Sequence, residues 1–242
     1  MFIYSSCKKI FMIISALLTV PAVVLAHVPY IEHQDYSEDK PFTVEDSIEN
    51  SKAMYAWFET GEDIDVYTFE VLAPVRVYAN ALVPVCPGYE ELLPWLAVVG
   101  PGLPPPPQEV PFTIPPGYGA IIVENLAPGE PRETFYEPFG GKFYYDGPAF
   151  DQEVSQTATW YIYYWEPYKL GGDYVAVLGF REVFTFRDIL RGLIITPMIR
   201  LDKELHVECP QKKASQAPAI KSDKLTTTWG NLKKGSQNFG VK

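Results

Sequence analysis

The chain is poor in the side chains on which most catalytic and metal sites draw: its 242 residues hold three histidines and three cysteines. Cys7 falls near the N-terminus, and Cys86 and Cys209 lie far apart with no second thiol at metal-ligand spacing, which excludes a zinc knuckle. No G-x-S-x-G occurs, so a Ser-His-Asp or Cys-His arrangement would have to recruit His27, His33 or His206. Cys86 sits in the turn-like Pro84-Val85-Cys86-Pro87-Gly88 with no histidine nearby in sequence, and reads as structural. No catalytic residue is assigned, and the chain is read as non-enzymatic. Carboxylates are abundant enough for glycosidase chemistry, but abundance alone selects no pair. Basic residues are scarce as well: 20 Lys and Arg face 30 Asp and Glu, a net charge of -10, which argues against nucleic acid as a partner.

Long hydrophobic runs are also missing. The longest, residues 10–24, is too short for a comfortable membrane span. With Lys8 and Lys9 before it and Val24-Leu25-Ala26 after it, the segment 1–26 reads as a secretory signal peptide cleaved after Ala26, with an uncleaved anchor as the other reading. Export places the working protein in an extracytoplasmic compartment: periplasmic, secreted or on the cell surface. There Cys86 and Cys209 either form one disulfide or stay as two buried thiols. Charge is unevenly spread, because residues 27–209 carry 11 basic and 29 acidic side chains while residues 210–242 carry seven Lys and one Asp. That last stretch, rich in Lys, Ser, Gln and Gly, reads as a disordered basic tail.

Helical periodicity is almost absent between residues 27 and 183. Short apolar or aromatic runs alternate there with Gly, Pro and Asp clusters, which predicts many short strands. The clearest are 53–59, 64–71, 75–83, 92–99, 119–123, 159–165 and 173–180. In the second, Tyr67, Phe69 and Val71 share a face opposite Thr68 and Glu70, as a half-buried strand requires. Residues 100–116, with four consecutive prolines at 104–107, read as a stiff surface loop. Residues 124–154 read as a second irregular insert whose many aromatics fold back onto the sheets. From residue 184 the period changes: Phe186, Ile189, Leu190, Leu193 and Ile194 form one helical stripe, Thr185 and Asp188 suit an N-terminal capping pair, and Pro197 is expected to end the helix. The stretch 184–201 also carries Arg187, Arg191 and Arg200. Three readings stand: docking of the stripe on the sandwich, contact with a membrane surface, and contact with a membrane-protein partner.

Gly61-Glu62-Asp63-Ile64-Asp65-Val66-Tyr67-Thr68-Phe69-Glu70-Val71 resembles the G-D-x-D-x-Y-x-F-x-V strand of bacterial pre-peptidase C-terminal domains. Residues 159–165 followed by Gly172-Asp173-Tyr174-Val175-Ala176-Val177-Leu178 are similar to that family's closing hairpin. The two motifs lie farther apart than is usual for the family, and Thr157-Ala158-Thr159 stands where it has Gly. The resemblance covers residues 47–179. It implies a jelly-roll-like β-sandwich acting as a non-catalytic accessory or binding module, of a kind often appended to secreted proteases. Strand alternation and Gly/Pro turns point independently to an all-β sandwich with long loop inserts over residues 27–183, then a short helix and extension over 184–209.

Three ligand hypotheses follow from particular residues. Glu59, Glu62, Asp63 and Asp65 offer hard oxygens for calcium at a strand entrance, with the bracing of turn amides as the plainer reading. Cleavage after Ala26 would give His27 a free α-amine beside its imidazole, a chelate for copper that His33 or His206 would complete. In the aromatic run around residue 160, the family pattern puts Tyr161, Tyr163 and Trp165 in the core, leaving Trp160, Tyr164 and Tyr168 outward as a platform for sugar rings. The expected function is therefore an exported binding module that contacts a surface polymer or an exported or membrane protein, with an extracytoplasmic metal-binding protein as the alternative.

Overall fold

The computed structural model describes residues 27–59 and 61–210. The signal-like segment 1–26 and the basic tail after Pro210 lie outside the described residues. Among the described residues, alternating apolar runs become eleven strands: β1 (Val28–Ile31), β2 (Phe42–Thr43), β3 (Lys52–Phe58), β4 (Ile64–Val71), β5 (Val75–Pro84), β6 (Trp95–Pro101), β7 (Tyr118–Val123), β8 (Thr134–Glu137), β9 (Lys142–Val154), β10 (Ala158–Trp165) and β11 (Gly172–Leu178). One helix follows, α1 (Phe186–Arg200).

The strands form a six-stranded sheet, β1-β3-β11-β5-β9-β8, and a five-stranded sheet, β2-β4-β10-β6-β7. Within them the orders β3-β11-β5-β9 and β4-β10-β6-β7 are those of an eight-stranded jelly roll, in which the chain passes repeatedly between sheets and every strand of this set pairs antiparallel with its neighbours. β1 and β2 add to β3 and β4 as parallel edge strands, which makes both sheets mixed.

Between the sheets lie Met54, Ala56 and Phe58 of β3, Tyr67, Phe69 and Val71 of β4, Trp160, Ile162 and Tyr164 of β10, and Tyr174, Ala176 and Leu178 of β11. Each large apolar side chain so buried contributes on the order of 1.5–3 kcal/mol to folding before the entropy it loses is counted. The outer faces are covered too. On the five-stranded sheet the proline-rich insert lays Phe112 flat on Tyr163, ring centroids 4.0 Å apart, and edge-on to Trp165. On the six-stranded sheet Ile199 and Ile195 of α1 pack with Tyr55, Tyr144, Val175 and Val177.

Residues 124–154 correct the expectation of an irregular insert. They contain β8 and the thirteen-residue β9, which pairs along almost all of β5. Gly147-Pro148 disguised the strand. The pairing shifts there, with two steps along β5 from Asn80 to Leu82 matched by three along β9 from Ala149 to Asp146. Such a bulge is where a strand tolerates proline. A Cβ on Gly147 would stand 2.4 Å from the Ala81 carbonyl oxygen, so only glycine fits. The Asn80 amide turns into the gap and donates to the carbonyls of Gly147 and Pro148, both at 3.3 Å.

Candidate functional site

α1 begins with a closed capping box. The Thr185 hydroxyl accepts from the Asp188 N–H at 3.2 Å, and the Asp188 carboxylate accepts from the Thr185 N–H at 2.9 Å. The side toward the sheet is made by Gly192, Thr196 and Ile199, spaced at i, i+4 and i+7, and the small residues at 192 and 196 let the helix backbone approach. Two arginines fix its rotation. The Arg191 guanidinium lies 4.0 Å over the Tyr30 ring of β1, and Arg200 Nε donates to the Phe139 carbonyl at 2.9 Å.

This rotation overturns the docking of the apolar stripe on the sandwich. Phe186, Ile189, Leu190, Leu193 and Ile194 face solvent, between 42% and 76% exposed, and Met198 and Leu201 continue the same face. Pro197 does not end the helix, which runs on to Arg200. Proline removes the amide that would have bonded to the Leu193 carbonyl, and both residues lie on the exposed side of the helix. The result is a continuous, water-facing strip of large apolar side chains on an ordered helix, flanked by Arg187 and Arg200. Scattered exposed leucines carry no message, but a contiguous strip marks a contact surface.

The segment after α1 is a strap over the end of the six-stranded sheet. Lys142, buried, bonds to the carboxylates of Asp202 and Glu204. His206 stacks on Trp57 with centroids 4.0 Å apart, its Nδ1 is 2.6 Å from Asp173, and its backbone N–H donates to the same carboxylate at 2.9 Å. Tyr89 donates its hydroxyl to Asp173 at 2.6 Å. A carboxylate that takes both the ring and the backbone of His206 acts as a clasp for the strap. Cys209 closes the strap in a disulfide with Cys86, Cα atoms 4.9 Å apart. Beside the disulfide is a cleft of about 440 Å³ lined by Glu90, Lys142, Tyr145 and Asp202 among others, in which Lys142 is already neutralised by its two acidic partners.

At the opposite side of β3 two carboxyl groups meet. Asp65 is buried and accepts from the Tyr174 hydroxyl at 2.7 Å, while Glu32 accepts from the Trp57 N–H at 3.0 Å. Glu32 Oε1 and Asp65 Oδ1 are buried without a hydrogen-bond partner. Burial raises Glu32 to about 7 and holds Asp65 well above the usual carboxylate range; the charges of Asp63 and Asp35 raise Glu32 further, and those of Glu32 and Asp63 raise Asp65. Residue reasoning missed this pair, although one signal was present: Asp65 is in phase with Tyr67, Phe69 and Val71 and so points inward.

The calcium cluster is not assembled. Glu62 pairs with Lys169 at the surface, Asp63 accepts the Glu59 N–H at 2.7 Å as a turn brace, and Asp65 turns into the core. The copper set is dispersed likewise. His27 is buried with Nδ1, the nitrogen needed for chelation with the α-amine, hydrogen-bonded to Ser51 Oγ, and burial lowers it to about 4. His33 is exposed on the β1–β2 connection, and His206 belongs to the strap. Among the described residues no three His, Cys, Asp or Glu side chains converge to hold a metal. The aromatic platform is corrected as well. Trp160 and Tyr164 are 2% and 0% exposed, with the Trp160 indole lying where a Cβ on Gly100 would be, and Tyr161, Tyr163 and Trp165 occupy the outer face beneath the proline-rich insert. Tyr168 alone of the three is exposed.

No protein-family model matches the chain, and a search of curated proteins finds no match.

Proposed function

We propose that this chain is an exported, non-catalytic jelly-roll module that docks at the cell envelope through the outward face of α1. The observation that carries this reading is the water-facing strip Phe186, Ile189, Leu190, Leu193, Ile194, Met198 and Leu201 on a capped, sheet-anchored helix. The disulfide supports an oxidising compartment, where such bonds persist. The jelly roll accords with an accessory module of pre-peptidase type. Polymer stacking on β10 has lost two of its three aromatics to the core, so α1 is the better contact.

The test is retention. In cells exporting the full chain, wild type is expected in the envelope fraction and the double variant Leu190→Glu/Ile194→Glu in the soluble extracytoplasmic fraction. Both positions are exposed, so the charges leave the fold intact, and equal retention of the two proteins would rule out α1 as the contact.

A further inference from the structure

Resting on the docking role of α1, we infer that its occupant is a lipid surface bearing anionic headgroups, on which the helix lies flat. Length excludes spanning: fifteen residues reach about 22 Å at 1.5 Å per residue, short of the hydrocarbon core of about 30 Å. Among the described residues no helix is long and apolar enough to cross a membrane. What remains for a solvent-facing apolar strip with the exposed Arg187 at its margin is the interface plane, where the strip enters the acyl boundary and the Arg187 guanidinium meets phosphates.

Three observations select lipid. Charge is the first. α1 holds Arg187, Arg191 and Arg200 against Asp188, a net +2, while the rest of residues 27–209 holds 8 basic and 28 acidic side chains. An anionic surface repels so acidic a body as a whole and meets net positive charge at this helix, so the same field that weakens attraction at long range favours this orientation at contact. Connectivity is the second. The apolar segment 10–24 joins the fold at His27, next to β1, and β1 is the strand against which α1 packs. A surface that holds the chain at its N-terminal end therefore lies near α1. The third is the chain after Pro210, whose seven lysines and one aspartate follow the strap that begins where α1 ends. A weak apolar contact and a polybasic segment in one chain are the two signals that stable membrane association requires.

The experiment is flotation of the exported, purified chain with vesicles of phosphatidylcholine alone or with one-third phosphatidylglycerol. Wild type is expected to float with the anionic vesicles at low salt, and to do so at least tenfold less with neutral ones or at high salt. Leu190→Glu/Ile194→Glu is expected to lose at least tenfold, whereas Leu72→Glu, the same change at a leucine exposed between β4 and β5, keeps wild-type binding. No flotation, or equal loss with Leu72→Glu, overturns the lipid assignment. If envelope retention still depends on Leu190 and Ile194 while vesicles are ignored, the docking reading stands and its occupant is a protein. A concentration-dependent dimer abolished by the double variant, again without vesicle binding, makes the occupant a second copy of the chain.

Discussion

Glu32 and Asp65 show how far one residue's chemistry departs from its type. Both carboxyls bind protons more tightly in the folded chain than in the unfolded one, because burial, and after it the negative charges of Asp63 and Asp35 on Glu32 and of Glu32 and Asp63 on Asp65, penalise the charged form. Their contribution to stability is therefore full below the ordinary carboxylate range, near 4.5, and is lost as pH rises through about 7 and beyond. For Glu32 alone the loss is on the order of 3 kcal/mol. Glu32→Gln keeps the shape and can donate an amide hydrogen to Asp65, so thermal melts should show the variant gaining on wild type steadily from pH 5 to pH 8. A gap that stays constant across that range would mean that Glu32 does not hold its proton above the ordinary carboxylate range. His27 runs in the opposite direction. Lowered to about 4, it contributes fully above 6.5 and loses its contribution as pH falls through 4.

At the scale of elements, α1 and β10 mark the limit of periodicity as a guide. The helix, its Thr185/Asp188 cap and its apolar stripe were all legible from spacing. Its rotation was not, since a stripe says that a face is apolar and leaves open what covers it, and Gly192 and Thr196 win the sheet side by being small. β10 posed the same problem twice over: both of its faces are aromatic and both are covered, one by the opposite sheet and the other by Phe112, so alternation could not tell inside from outside. β9 was hidden by Gly147-Pro148, whose bulge depends on Asn80 from another strand. The helix assignment has a plain consequence. Ile199→Ala, at a fully buried position, should cost about 2–5 kcal/mol in chemical denaturation. Leu193→Ala, on the exposed strip, should stay within about 0.5 kcal/mol. If the two costs were reversed, the helix would be turned the other way.

Over the whole molecule, the jelly roll and the single cross-link divide the work of stability. Much of the sandwich was legible in turn chemistry and period-two runs, but the exchange of strands between sheets comes from contacts such as β11 between β3 and β5 that no local pattern encodes. Cys86 and Cys209 are separated by 123 residues, so the disulfide closes a long loop. Reduction should lower stability by about 2–5 kcal/mol, seen as a drop in melting temperature with reductant and reproduced by Cys209→Ser. Strap contacts should weaken with it, because Lys142, Asp173 and Trp57 hold the same segment.

The closed loop also has a mechanical meaning. α1 lies inside it, and Cys86 comes two residues after the end of β5, an inner strand of the six-stranded sheet flanked by β11 and β9. At the other end of the helix, the backbone N–H groups of Phe180 and Arg181 are held by the Glu49 carbonyl. Tension applied to α1 by whatever it adheres to is therefore borne at both ends, and at the C-terminal end it passes through a covalent link into the middle of the sheet. The helix cannot peel away like a free flap; detachment has to come from the surface letting go.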